Sequence, residues 1–106
     1  VKVDVATGQT KAIAQLQPGL DNLTFSPTDL LYASNFVDSD INEVNTQTGR
    51  VRKVVNSGGL TAPGGLAVYD NSLYVADTNS YRILDRKTGR IQQTIRSIVT
   101  LIQNPL

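Results

Sequence analysis

The chain has 106 residues and a net charge of +1 from 10 basic and 9 acidic residues. Leu, Ile, Val and Phe supply 31 of the 106, well above the level below which disorder is expected, and the length predicts one domain at most. Cys, His, Met and Trp are absent, which excludes disulfides, zinc sites built on Cys or His, thiol nucleophiles and any His-based triad within the chain.

The near-neutral charge balance does not advertise nucleic acid or an anionic membrane as a partner. No stretch reaches the ~18 consecutive apolar residues of a membrane helix, and no membrane insertion is expected. No basic segment followed by an apolar one opens the chain. The chain starts at Val1, already inside an alternating pattern, and reads as a mature or excised chain or as a piece of a longer protein. The lack of Cys leaves the compartment open, since cytosol, periplasm and secretion are all compatible with it.

An internal repeat organises the sequence. Thr7-Gly8, Thr48-Gly49 and Thr88-Gly89 recur at spacings of 41 and 40 residues. Each follows a short stretch with an apolar start, at Val1, Ile41 and Ile83, and each precedes a second strand-like run. Upstream, Leu23-Thr24-Phe25 and Leu30-Leu31-Tyr32-Ala33-Ser34 parallel Leu66-Ala67-Val68 and Leu73-Tyr74-Val75-Ala76-Asp77. Pro18, Pro63 and Pro105 fall at similar points. All of these features share a period of ~42 residues, the length range of a repeat built from one supersecondary unit.

Alternation and turn chemistry make the unit a set of strands. Val1, Val3 and Val5 alternate with Lys2 and Asp4, and Val51 and Val54-Val55 flank Arg52-Lys53. The Thr-Gly pairs supply a residue tolerant of positive φ, as a hairpin turn requires. Ser26-Pro27-Thr28-Asp29 and Asp70-Asn71-Ser72 place turn-forming residues before the next strand. The expected strands are 23–26, 30–35, 41–46 and 50–55 in one period, and 66–69, 73–77, 81–86 and 90–95 in the next. Ile91, Ile95, Ile98 and Ile102 stand at helical spacing, but the repeat makes 90–95 a strand.

Four antiparallel strands in ~40–45 residues is the blade of a β-propeller. The fold class is therefore all-β, with residues 1–17 as the outer half of a preceding blade, 18–59 as one blade and 60–104 as the next. Pro105-Leu106 would begin another. That is about two and a half blades. The small residues Ala33, Ala67 and Ala76 would allow close approach near the axis, with Leu, Ile and Val filling the layers between blades. The partners expected are the remaining blades or a second copy, and then a protein or small-molecule ligand.

Residues 63–91 carry a recognisable pattern: Pro63, Gly65, Leu66, Ala67, Leu73 through Thr78, Asn79, Arg82, Ile83, Thr88 and Gly89. This resembles an NHL repeat, and 20–51 is a looser version of it. The chain also resembles blades of gluconolactonase-like, senescence-marker-type and streptogramin-lyase-like propellers. The resemblance covers nearly the whole chain and implies a six-bladed ring when complete.

In the gluconolactonase-like families an acidic or Asn residue just before the innermost strand holds a divalent cation in the central channel. Asp21 stands there, followed by Asn22, and their oxygens would suit calcium in a complete ring. The equivalent place in the next blade is Gly64, which has no ligand atom, so the alternative reading is a turn residue at the strand start. Asp77, with Ser34 as its counterpart, reads as a turn-capping residue. Asp38-Ser39-Asp40-Ile41-Asn42 opens like a calcium loop, but Glu43 and Gly49 stand where such a loop needs Gly and Glu. The Gly-rich stretch 58–65 lacks the Lys-Ser/Thr ending of a phosphate loop. Asn22-Leu23-Thr24 is a formal glycosylation sequon inside an expected inner strand. Arg50, Arg52, Lys53, Arg82, Arg86, Lys87 and Arg90 cluster on outer strands and read as a solvated rim that blunts strand edges.

Three functions follow. The first is a binding or interaction scaffold without catalysis of its own. The second is part of a metal-dependent lactonase-like hydrolase or a streptogramin-lyase-like enzyme, with Asp21 among channel ligands supplied mostly by other blades. The third is an RNA-binding face, as in some NHL proteins; interspersed acidic residues and only six aromatics argue against nucleic acid as the partner.

Overall fold

A computed structural model describes residues 2–96. The helical spacing through Ile98 and Ile102, the end of the unit expected over 60–104 and the restart at Pro105-Leu106 lie outside the described residues. Within them the chain is all-β and has no helix. A short hairpin of β1 (Lys2–Val3) and β2 (Thr10–Lys11) comes first. The first four-stranded sheet follows, with β3 (Leu20–Phe25), β4 (Leu30–Asn35), β5 (Asp40–Asn45) and β6 (Val51–Val55). The second holds β7 (Pro63–Tyr69), β8 (Ser72–Asp77), β9 (Ser80–Asp85) and β10 (Ile91–Arg96). Each sheet is ordered as the chain runs, and every neighbouring pair is antiparallel.

The Thr-Gly turns form one structure three times. At Asp4, Asn45 and Asp85 the side-chain Oδ1 accepts the backbone N–H groups two and three residues on, at 2.9 to 3.3 Å. The Thr hydroxyl three residues later in each turn, at Thr7, Thr48 and Thr88, accepts the N–H two residues further on at 3.2 Å. The glycine N–H closes each turn on the carbonyl of the same Asp or Asn, at 2.7 to 2.8 Å. Gly8, Gly49 and Gly89 have φ of 74°, 77° and 72°, where a Cβ is disfavoured. The tighter turns use Asp29 (φ 65°) and Asp70 (φ 52°), residue types that tolerate the left-handed region.

The two sheets bury one face of each against the other. Tyr32, Ile41, Val54, Val55, Leu60, Leu73, Val75 and Leu84 form a single buried cluster, joined by Leu30, Leu66 and Val68. Full burial of a large apolar side chain is worth about 1.5–3 kcal/mol, so this layer holds the sheets together. The first strands come together, with β7 lying against β3 and β4, and Ser34 Oγ donates to the Gly64 carbonyl at 2.8 Å. At the other side, a Cβ on Gly89 would strike the backbone carbonyl of Val54. The same approach recurs one unit earlier, where a Cβ on Gly49 would stand 2.6 Å from the Ile13 carbonyl. The segment after β2 therefore sits against the first sheet as β6 sits against the second.

Candidate functional site

Asp21 falls in the register slip between the Leu20 and Asn22 pairings of β3 and β4, and both Asp21 and Asn22 are exposed. Asp21 Oδ2 leans over the next sheet, 3.1 Å from the position of a Cβ on Gly64. Asn22 is occupied locally: its Oδ1 accepts the Leu23 N–H at 2.7 Å, and its own N–H reaches Ser34 Oγ at 3.2 Å. Among the described residues no three His, Cys, Asp or Glu side chains come together. Asp38 and Asp40 do not converge on a loop site either. Asp40 is buried on β5 and accepts from Lys53 Nζ at 2.6 Å, while the Asp38 carbonyl receives the Gly58 N–H at 2.9 Å.

Asp77 has the role of a staple. Its carboxylate, fully buried, accepts the N–H of Thr61 at 2.9 Å, that of Ala62 at 2.7 Å and Nε of Arg82 at 2.7 Å. Burial opposes its charged form, but the two backbone bonds and Arg82 prevail and lower its pKa. It fastens the connection between the sheets to the end of β8, rather than capping its own turn. The register also corrects its counterpart. Leu20 pairs with Asn35 as Pro63 pairs with Asp77, so Asn35 and not Ser34 holds the equivalent place. Asn35 does the same job with the opposite polarity, its Nδ2 donating to the carbonyls of Gln17 at 3.2 Å and Pro18 at 3.0 Å.

The basic rim is only partly a free solvated surface. Alternation sets Arg52 opposite Glu43 across β5 and β6, and Tyr32 opposite Glu43 across β4 and β5. Arg52 forks onto the Glu43 carboxylate at 2.8 and 3.2 Å, and the Tyr32 hydroxyl donates to it at 2.7 Å. Arg52 also donates to the carbonyls of Lys87 at 2.6 Å and Arg86 at 3.1 Å, tying the first sheet to a turn of the second. These groups and Leu30 line a groove of about 440 Å³. Its chemistry is settled internally. Burial pushes the Tyr32 phenol up, aided by Glu43, so it stays neutral. Burial also works against the Glu43 anion, but hydrogen bonds from Arg52 and Tyr32 outweigh it and the pKa falls. Both shifts keep Tyr32 protonated and Glu43 ionised at neutral pH.

A second surface is one that the sequence reading passed over. Residues 36–39 join β4 to β5, where only Thr78 and Asn79 join β8 to β9. The longer loop is held by N–H groups of Val37 and Asp38 on Asn35 Oδ1, both at 2.9 Å, and by Phe36 N–H on the Gly19 carbonyl at 2.8 Å. This fixed backbone displays Phe36 (59% exposed) and Val37 (70%).

No protein-family model matches the chain, and no curated protein matches it either. Among the described residues no helix is long and apolar enough to cross a membrane.

Proposed function

We propose that the chain is a segment of an NHL-type β-propeller, built toward a six-bladed ring, that acts as a binding and interaction scaffold with no catalysis of its own. One observation carries the reading. The Asx–Thr–Gly turn recurs three times, and twice its glycine nests on the carbonyl of the preceding unit, Gly49 on Ile13 and Gly89 on Val54. A unit that repeats its own shape and its own contact to the next is the signature of a stacked repeat, and four-stranded units with their first strands together are what a propeller stacks.

The polar groups support a scaffold. The ion pairs fasten strands and connections to one another, whereas the fixed loop at Phe36-Val37 faces solvent, as a recognition surface does. The metal-dependent alternative rests on Asp21 and Asn22. A calcium titration read by thermal unfolding separates the two. The scaffold reading predicts an unmoved midpoint at millimolar calcium, whereas a rise of several degrees that Asp21→Ala removes would put a cation in the channel and overturn it.

A further inference from the structure

We infer that the groove between the outer parts of the two four-stranded sheets is a binding site for a compact dianion of the phosphomonoester class, held by Arg50, Arg86 and Lys87. The inference goes beyond the scaffold reading and does not depend on how the stack continues, since both walls belong to the two described sheets.

Arg86 and Lys87 line the groove, and Arg50 lines a second hollow that shares Leu30, Glu43 and Arg52 with it. Glu43 is the one carboxylate among these lining residues, and Arg52 neutralises it at 2.8 Å. Arg50, Arg86 and Lys87 form no ion pair among the described residues. Three cations beside a groove whose own carboxylate is already matched leave a positive field for an anion.

Two of the three are placed in advance. Arg86 Nη1 donates to the Asp70 carbonyl at 2.9 Å, and the guanidinium stands 6.0 Å from the Tyr32 ring centroid. The Lys87 backbone is fixed from both sides, its N–H on Asp85 Oδ1 at 2.9 Å and its carbonyl on Arg52 at 2.6 Å. A guanidinium fork beside an ammonium matches the oxygens of a phosphoryl group.

Stacking does not call for these cations. Gly49 nests on Ile13 as Gly89 nests on Val54. Yet Gln9, Thr46 and Gln47 stand at the earlier junction where Arg50, Arg86 and Lys87 stand at the later one. A compact group fits better than a nucleic-acid strand. Glu43 interrupts the cations, and the exposed Tyr69, Tyr74 and Tyr81, which could stack on bases, lie on the far face of the second sheet.

The test is a titration of the full chain with phenyl phosphate at a pH of about 7.5, where a monoester is a dianion, read by backbone amide shifts in the turns 45–50 and 85–90. The shifts are expected to saturate, and Arg86→Gln with Lys87→Gln to weaken the affinity at least about tenfold. Lys87→Gln alone takes away no described hydrogen bond of the fold; it is expected to weaken the affinity about threefold and decides the matter if the double variant fails to fold. Lys11→Gln with Arg90→Gln removes the same charge outside the groove and is expected to change the affinity by less than about twofold. A capped phosphoserine peptide distinguishes the two sources of the group. Affinity equal to that of phenyl phosphate supports the site as one for a free small molecule, and affinity about tenfold tighter supports it as one for a phosphorylated protein segment. Shifts that do not saturate, equal losses in the two double variants, or an oligouridylate that binds more tightly than the monoester overturn the inference.

Discussion

Tyr32 and Tyr74 occupy the same place in successive sheets, yet Tyr32 is 0% exposed and Tyr74 is 41% exposed. Each stands on the fourth-from-last position of the second strand, opposite the first strand on one side and the third on the other. What differs is a neighbour. Tyr32 lies under the second sheet with Arg86 6.0 Å from its ring centroid, whereas Tyr74 shares an open face with Tyr69 and Tyr81, which are 69% and 58% exposed. Tyr32→Ala is expected to cost about 3–5 kcal/mol and Tyr74→Ala less than about 1 kcal/mol in urea unfolding. Equal losses would mean that the faces are not in different states.

The glycines of the repeated turns give a graded series. Gly8, Gly49 and Gly89 share the same φ region, but a Cβ on Gly8 meets open space and one on Gly89 meets the Val54 backbone. Gly8→Ala is therefore expected to cost about 1 kcal/mol through conformation alone. Gly89→Ala adds the separation of two backbones and is expected to lose about 1–3 kcal/mol more. Denaturant midpoints read the difference, and equal costs would remove the nested contact from the account.

Acid is expected to weaken the fold at the inward-facing carboxylates Glu43 and Asp77. Glu43 and Asp77 have folded pKa values below their ordinary 4.5 and 3.8. A lowered carboxylate contributes stability that is complete above its unfolded pKa and is lost as pH falls through the folded value. The thermal midpoint should thus stay level from neutral pH to about 5 and drop below about 4. Asp77→Asn should lower the neutral plateau by roughly 3 kcal/mol, because Arg82 and two N–H groups lose a charged partner, and should flatten the acid limb. A variant that keeps the full acid slope would show that Asp77 is not its source.

Arg52→Ala tests the tie between the sheets. It leaves the Glu43 carboxylate short of its fork and frees the carbonyls of Arg86 and Lys87. Arg52 is 42% exposed, so the expected loss is about 1 kcal/mol, with faster amide exchange in the turn 85–90. Protection unchanged in that turn would assign it no part in the stacking.

Much of the strand framework was legible because period-2 alternation and the Thr-Gly turns are local signals. Leu30–Asn35 and the cores of all eight long strands stand where the repeat puts them. The starts of β3 and β7 come earlier than alternation marks, since Leu20 and Pro63 pair beyond a register slip that no side-chain pattern announces. Ser34 aligns with Asp77 only at the spacing that relates β3 to β7; the turn between the first and second strands is longer in the first sheet, which moves the true counterpart to Asn35. The pairing of Arg52 with Glu43 follows from β5–β6 register and was within reach; the reach of Arg52 to the Arg86 and Lys87 carbonyls was not, because it crosses sheets. Asp21 and Asn22 lie inside β3 rather than just before it, and their immediate surroundings are Gly64 and the β3 backbone.

The most direct measurement of the central claim is the solution mass of the chain by light scattering after size exclusion, with a hydrophobic dye as a second readout. As proposed units of a stack, the two sheets expose Leu23 and Phe25 on one side and Tyr69, Tyr74 and Tyr81 on the other. The account predicts association that grows with concentration, together with strong dye binding. A monodisperse 11.5 kDa monomer that leaves the dye dark would contradict it.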